Sequence, residues 1–104
     1  DLSRFEGFQN LRELDLYGSS PVHPEALTRL PRLSILNLGE TALEDLSFLP
    51  DMPALEDIDL RGNPLSDLTP LLECQGLNLL ILSPRHQSLV EEQLGGASFQ
   101  VRYQ

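Results

Sequence analysis

LEDIDLRGNPLSDLTPLLECQG, residues 55–76, decides the fold. It opens as L-x-x-I-x-L-x-x-N-x-L and closes as D-L-x-P-L. Its columns recur along the chain at one fixed step. Leu11, Leu33, Leu55 and Leu77 stand 22 residues apart, as do Leu14, Leu36, Ile58 and Leu80, and Leu16, Leu38, Leu60 and Leu82. A constant period of this length marks a stack of repeats, each burying its apolar face only against its neighbours. Such a stack needs about three units for a continuous core, and the columns run through four.

Within each unit the residues after the first leucine alternate, as a short strand requires. Leu14 and Leu16 point inward, while Glu13, Asp15 and Tyr17 point outward. The corresponding outward residues are Ile35, Asn37 and Gly39, then Asp57, Asp59 and Arg61, then Leu79, Ile81 and Ser83. Phase alone makes truncation of inward Leu60 costly and of outward Asp59 nearly free. Gly18-Ser19-Ser20-Pro21 signals a turn. Pro24 to Leu30 has the proline and early acid of a helix start. Leu43, Leu46 and Leu49 are spaced by three, which suits a 3₁₀ or irregular return ended by Pro50 and Pro53. Thr69-Pro70 resembles a cap followed by an N1 proline. Leu65, Leu68, Leu71 and Leu72 line the back. Asn63, at the ninth position, suits a side chain that bonds the backbone of the tight turn, a role that Ser19 and Thr41 fill more weakly.

The chain divides accordingly. Residues 1–10 read as the convex part of a truncated preceding repeat. Residues 11–84 are repeats: 11–32, 33–54, 55–76 and, as the strand of the last, 77–84. Residues 85–104 read as a C-terminal capping unit, a helix over Ser88 to Leu94 stopped by Gly95-Gly96, then a strand through Phe99, Val101 and Tyr103. Val101 arrives 21 residues after Leu80, one short of the period. A chain that begins in mid-repeat without an initiator Met is expected to be a piece of a longer protein.

These columns resemble the leucine-rich repeat proteins, and in particular the short bacterial 22-residue class of the internalins. Leu55, Ile58, Leu60, Asn63, Leu65, Asp67, Leu68, Pro70 and Leu71 match that class. Leu33, Leu36, Leu38, Leu43, Asp45, Leu46 and Leu49 match it too, with Thr41 for the asparagine and Phe48 for the proline. The resemblance covers about residues 2–84. It implies an α/β solenoid, a right-handed stack with a parallel sheet on the concave face and short helical or 3₁₀ segments on the convex face. It also implies a bacterial source and a protein partner held on the concave strands.

Charge narrows the partner. Seven Arg and no Lys stand against 16 acidic residues, for a formal charge of -9. That balance opposes nucleic acid and anionic membrane surfaces. It allows a protein partner with a basic surface without demanding one. Cys74 is the single cysteine, so no internal disulfide forms. This favours a reducing, cytoplasmic setting, with a secreted effector as the other option. Cys74 falls in an apolar column and reads as a buried small hydrophobe. His23 and His86 fall in turn or cap segments and read as surface residues, with no orienting acid for a nucleophile. Asp15, Asn37, Asp57 and Asp59 bring oxygens together, but a solvated strand face lacks the sharp glycine turn of a calcium loop. No enzyme, metal or cofactor is expected.

The binding residues expected on the concave face are Glu13, Asp15, Tyr17, Ile35, Asn37, Asp57, Asp59, Arg61, Leu79 and Ile81. Leu79 and Ile81 have two readings, an exposed contact or a patch covered by the terminal segment. Function has two readings as well. One is a recognition module, monomeric in isolation or in contact with the rest of its own polypeptide. The other is a structural C-terminal cap or spacer of a longer array, with no ligand of its own.

Overall fold

The structure, a computed structural model, describes residues 9–19 and 24–104. The half-turn expected over residues 1–10 lies almost wholly outside the described residues, and His23 lies outside them too. Five parallel strands form one sheet in chain order: β1 (Glu13–Asp15), β2 (Ile35–Asn37), β3 (Asp57–Asp59), β4 (Leu79–Leu82) and β5 (Gln100–Tyr103). The register sets Leu14 beside Leu36, Ile58 and Leu80, and the last step, to Val101, is one residue shorter. The chain is an α/β solenoid. Strand bonding outlasts the strands themselves: Leu16 N–H donates to Asn37 O, Leu38 N–H to Asp59 O and Leu60 N–H to Ile81 O.

The chain returns along the other side through 3₁₀ segments at Pro24–Arg29, Leu49–Asp51 and Thr69–Glu73. A helix with three residues per turn buries every third side chain. Leu43, Leu46, Leu49 and Met52 are buried in the second coil, and Leu65, Leu68, Leu71 and Cys74 in the third. Leu72 breaks this spacing and is exposed, so it does not line the back beside Leu71. Pro24–Arg29 is 3₁₀ and not α-helical. Pro50 lies inside its 3₁₀ segment and does not end it. Thr69 is not a cap: the Asp67 carboxylate accepts the Thr69 N–H at 3.0 Å and its hydroxyl at 2.6 Å. These bonds hold the Asp67 carboxyl below its usual range, as the bond from Ser47 N–H holds that of Asp45.

The interior is mostly leucine. Leu33, Leu38, Leu49, Leu60, Leu68, Leu71, Leu80 and Leu82 are fully buried, each stabilising by roughly 1.5–3 kcal/mol relative to exposure. Asn63 is buried with them and fully bonded. Its Oδ1 accepts the Thr41 and Leu43 N–H groups at 3.0 Å each. Its Nδ2 donates to Leu38 O at 2.9 Å and Leu60 O at 3.0 Å. One amide therefore closes the turn of its own coil and of the coil before it. Thr41, also buried, donates its hydroxyl to Leu38 O at 2.6 Å. Ser19 is exposed, and there it is the backbone N–H that closes the turn on Leu16 O.

The residue before this position turns the chain out of the strand with a positive φ: 77° at Gly18, 53° at Glu40 and 73° at Gly62. In the fourth coil the same column holds Pro84, whose ring fixes φ near -65°. The coil cannot continue, and the chain enters a 3₁₀ turn (Pro84–His86) and then helix α1 (Gln87–Gln93). Three side chains stand in for the missing next coil. Ser83 O accepts from His86 N–H, while Ser83 Oγ takes the Gly62 N–H at 2.8 Å. Arg85 donates to Asn63 O at 2.9 Å. From α1, Gln93 Oε1 accepts the Leu68 N–H at 2.7 Å and its Nε2 donates to Ser66 O at 3.3 Å. His86, read as a surface residue, is buried, and its Nδ1 has no partner among the described residues. Redirecting the chain at Pro84 turns a loop position into the root of the cap.

Candidate functional site

The outward residues of the strands form three columns running across the sheet. The first is Glu13, Ile35, Asp57 and Leu79, continued on β5 by Gln100. The second is Asp15, Asn37, Asp59 and Ile81, continued by Arg102. Between them lies an open groove of about 480 Å³, which eight of the ten expected binding residues help to line. Tyr17 and Arg61, from the third column, do not line it. Gln100 and Arg102 belong to the same face, although the 22-residue period does not reach them. The shortened last step, visible in the sequence at Val101, is the signal that places them.

Exposure falls from β1 to β3 on this face and returns at β5. Glu13, Asp15 and Ile35 are exposed, Asn37, Asp57, Leu79 and Ile81 are half-buried, and Asp59 is only 8% exposed. Asp59 therefore is not a solvated carboxylate. Arg61 Nε donates to both its oxygens at 3.0 Å, and Arg61 Nη2 stands 2.8 Å from Oδ2. The pairing raises the Arg61 guanidinium above its usual range. Alternation gives the outward direction correctly and misses the arginine folding back over the acid two residues before it.

The second column has a further duty. Asp15 Oδ1 accepts the Tyr17 N–H at 3.0 Å, Asn37 Oδ1 the Gly39 N–H at 2.9 Å and Asp59 Oδ1 the Arg61 N–H at 3.1 Å. Each short side chain bonds the backbone two residues on, and so shapes the exit from its strand. Asx chemistry accounts for an acid or amide on successive rungs. Among the described residues no group of three or more His, Cys, Asp or Glu side chains is placed to hold a metal.

The third column forms the rim. Tyr17, 52% exposed, lays its ring over Gly39, where a Cβ would stand 2.6 Å from the ring. The bare glycine lets the ring reach across a coil, to 5.7 Å from the Arg61 guanidinium carbon. A cation at that distance from an aromatic face is attracted to it by about 0.5–1 kcal/mol at an exposed site. Tyr17, Arg61 and Asp59 thus make one chain of contacts spanning three coils.

Leu79 and Ile81 follow neither of their two readings fully. The terminal segment does not fold over them; it joins the sheet beside them, Leu79 opposite Gln100 and Ile81 opposite Arg102. On the other side of the molecule Cys74 is buried in the third coil, and burial, with the nearby Glu73 charge, pushes its thiol up to about 11. No helix among the described residues is long and apolar enough to cross a membrane.

Neither a scan of protein-family models nor a search of curated proteins finds a match. Solved structures do match. An internalin C2 from Listeria monocytogenes str. 4b F2365 is similar over 100% of this chain and 46% of its own, at TM-score 0.74 and 23% identity. The internalin inlF of the same strain matches over 80% of this chain and 25% of its own, at TM-score 0.67 and 20% identity. The tropomodulin C-terminal domain of Caenorhabditis elegans matches over 99% of this chain and 80% of its own, at TM-score 0.70 and 18% identity. The chain thus spans less than half the length of either internalin.

Proposed function

We propose that this chain, whose fold is that of the leucine-rich repeat proteins, is a non-enzymatic protein-recognition unit that docks a partner on its sheet face. One observation carries the reading. The 480 Å³ groove presents half-buried Leu79 and Ile81 and exposed Ile35 beside Glu13 and Asp57. No hydrogen bond or ion pair within the described residues uses either carboxylate, and apolar side chains on an open sheet face give nothing to the core. Side chains idle in the fold and gathered in one concavity are those a partner can use. A cytoplasmic setting fits a chain with a single cysteine, with a secreted effector as the other option.

A second reading, a structural cap, is favoured by Ser83, Arg85 and Gln93, which close the backbone of the third coil. It explains residues 83–104 and leaves the sheet face without a purpose, which ranks it behind recognition. The test is capture of a partner by the full-length protein. Ile81→Ser is expected to speed dissociation about tenfold or more, and Glu44→Ala, on the exposed back, to leave it unchanged. Capture lost with Glu44→Ala and kept with Ile81→Ser would move the docking surface to the convex side.

A further inference from the structure

We propose that the segment docked on the sheet face is dipolar, with cationic side chains over β1–β3, aliphatic ones over β4 and a carboxylate beside Arg102 on β5. This rests on the sheet-face reading above and adds the partner's chemistry and its direction. Sequence alone makes the first three strands of this face acidic, through Glu13, Asp15, Asp57 and Asp59. Pairing with Arg61 removes Asp59 from the groups open to a partner. What remains is Glu13 and Asp57, without hydrogen bond or ion pair among the described residues, and Asp15, whose Oδ1 takes only the Tyr17 N–H. All three lie on β1–β3. The next rung offers only Leu79 and Ile81, and the rung after that carries exposed Gln100 and Arg102, with no ion pair to Arg102 among the described residues.

The face therefore runs from anionic through apolar to cationic along the stacking axis. Rungs are about 4.8 Å apart, so β1 to β5 spans about 19 Å. About six residues of extended chain cover that distance. Ile35, exposed between Glu13 and Asp57, suits the aliphatic stem of an Arg or Lys whose head reaches either carboxylate. A segment laid the other way sets carboxylate against Glu13 and Asp57 and cation against Arg102, and like-charge contacts of that kind reject wrong orientations.

The probes are two labelled peptides of one composition, RSRSLSLSE and its shuffled form LSRSESRSL, titrated against the protein by fluorescence anisotropy. The ordered peptide is expected to bind about tenfold tighter, and Asp57→Lys, Glu13→Lys and Arg102→Glu each to erase the difference. Ile81→Ser is expected to weaken both peptides. Each variant is compared at an unchanged melting midpoint, and Glu13 and Arg102, both exposed, serve if Asp57→Lys lowers it. Equal affinity of the two peptides, with Ile81→Ser still weakening both, overturns the dipolar partner and leaves the sheet-face reading standing. Binding indifferent to Ile81→Ser and Asp57→Lys alike overturns both. No binding of either peptide at about 1 mM, the weak end of specific affinity, overturns the dipolar partner alone.

Discussion

The third coil and the last begin alike and finish differently. Their apolar positions coincide: Leu55, Ile58 and Leu60 correspond to Leu77, Leu80 and Leu82. Two residues later Gly62-Asn63 becomes Pro84-Arg85. The first pair supplies a positive φ and a buried amide that bonds two coils at once. The second forbids the turn and sends a guanidinium back to a single carbonyl. Continuing a solenoid is demanding, since every turn needs its backbone groups met by the next. Ending one takes a proline and a few long polar side chains.

The widest gap should open between the two ninth positions. Asn63→Ala strands the Thr41 and Leu43 N–H groups and the Leu60 carbonyl in the core, while Leu38 O keeps the Thr41 hydroxyl, and is expected to cost about 3–5 kcal/mol. Arg85→Ala removes one of two bonds to Asn63 O, which keeps the Leu65 N–H at 2.9 Å, and is expected to cost about 0.5–1.5 kcal/mol. Urea midpoints of the two variants check the ranking. Near-equal losses would mean that the cap bond matters as much as the internal ladder.

The strand face of the third coil offers a smaller effect. Asp59→Ala removes the Arg61 pair and the bond to the Arg61 N–H, and is expected to cost about 1–2 kcal/mol, discounted because Arg61 is partly exposed. Asp57→Ala, one rung position away and unpaired, should stay within about 0.5 kcal/mol. Chemical denaturation of both reads out whether the Asp59 carboxylate belongs to the fold.

The smallest effect separates the cap by pH. Burial first, then the Arg85 charge, holds the His86 imidazole below its usual value. The folded state thus takes up its proton less readily than the unfolded chain. The stability tied to neutral His86 is fully present above the unfolded value of about 6.5 and is lost as pH falls through the lowered folded value. The melting midpoint should decline as pH drops from about 6.5 toward 5, and less steeply in His86→Leu. Asp45 and Asp67, also held low, act in the same direction only below about pH 4. A slope unchanged by His86→Leu would assign the decline to other groups.

The fold is legible because the leucine columns keep their period to the residue, even to the shortened step at Val101. Departures come where one side chain answers to another that alternation does not see. Asp59 points outward as its phase requires, yet Arg61 folds back and buries it. Leu72 reads as a partner to Leu71 because both are leucine, but a three-residue turn admits only one. His86 reads as a loop residue while the coil is expected to continue, and the column Gly18, Glu40, Gly62, Pro84 holds the warning. The groove on the sheet face is readable as positions. Which of its acids remain open to a partner is not, since that depends on bonds made across the face.

Cys74 gives this solenoid a built-in clock. It is the single thiol of the chain, buried in the third coil, and at about 11 it holds almost no thiolate near neutrality. An alkylating reagent therefore reacts with it chiefly through openings of that coil. The ratio of its labelling rate to that of a free cysteine peptide measures how often the coil opens. Compared with the free energy of global unfolding, that ratio tells whether the coils breathe singly or open as one cooperative unit.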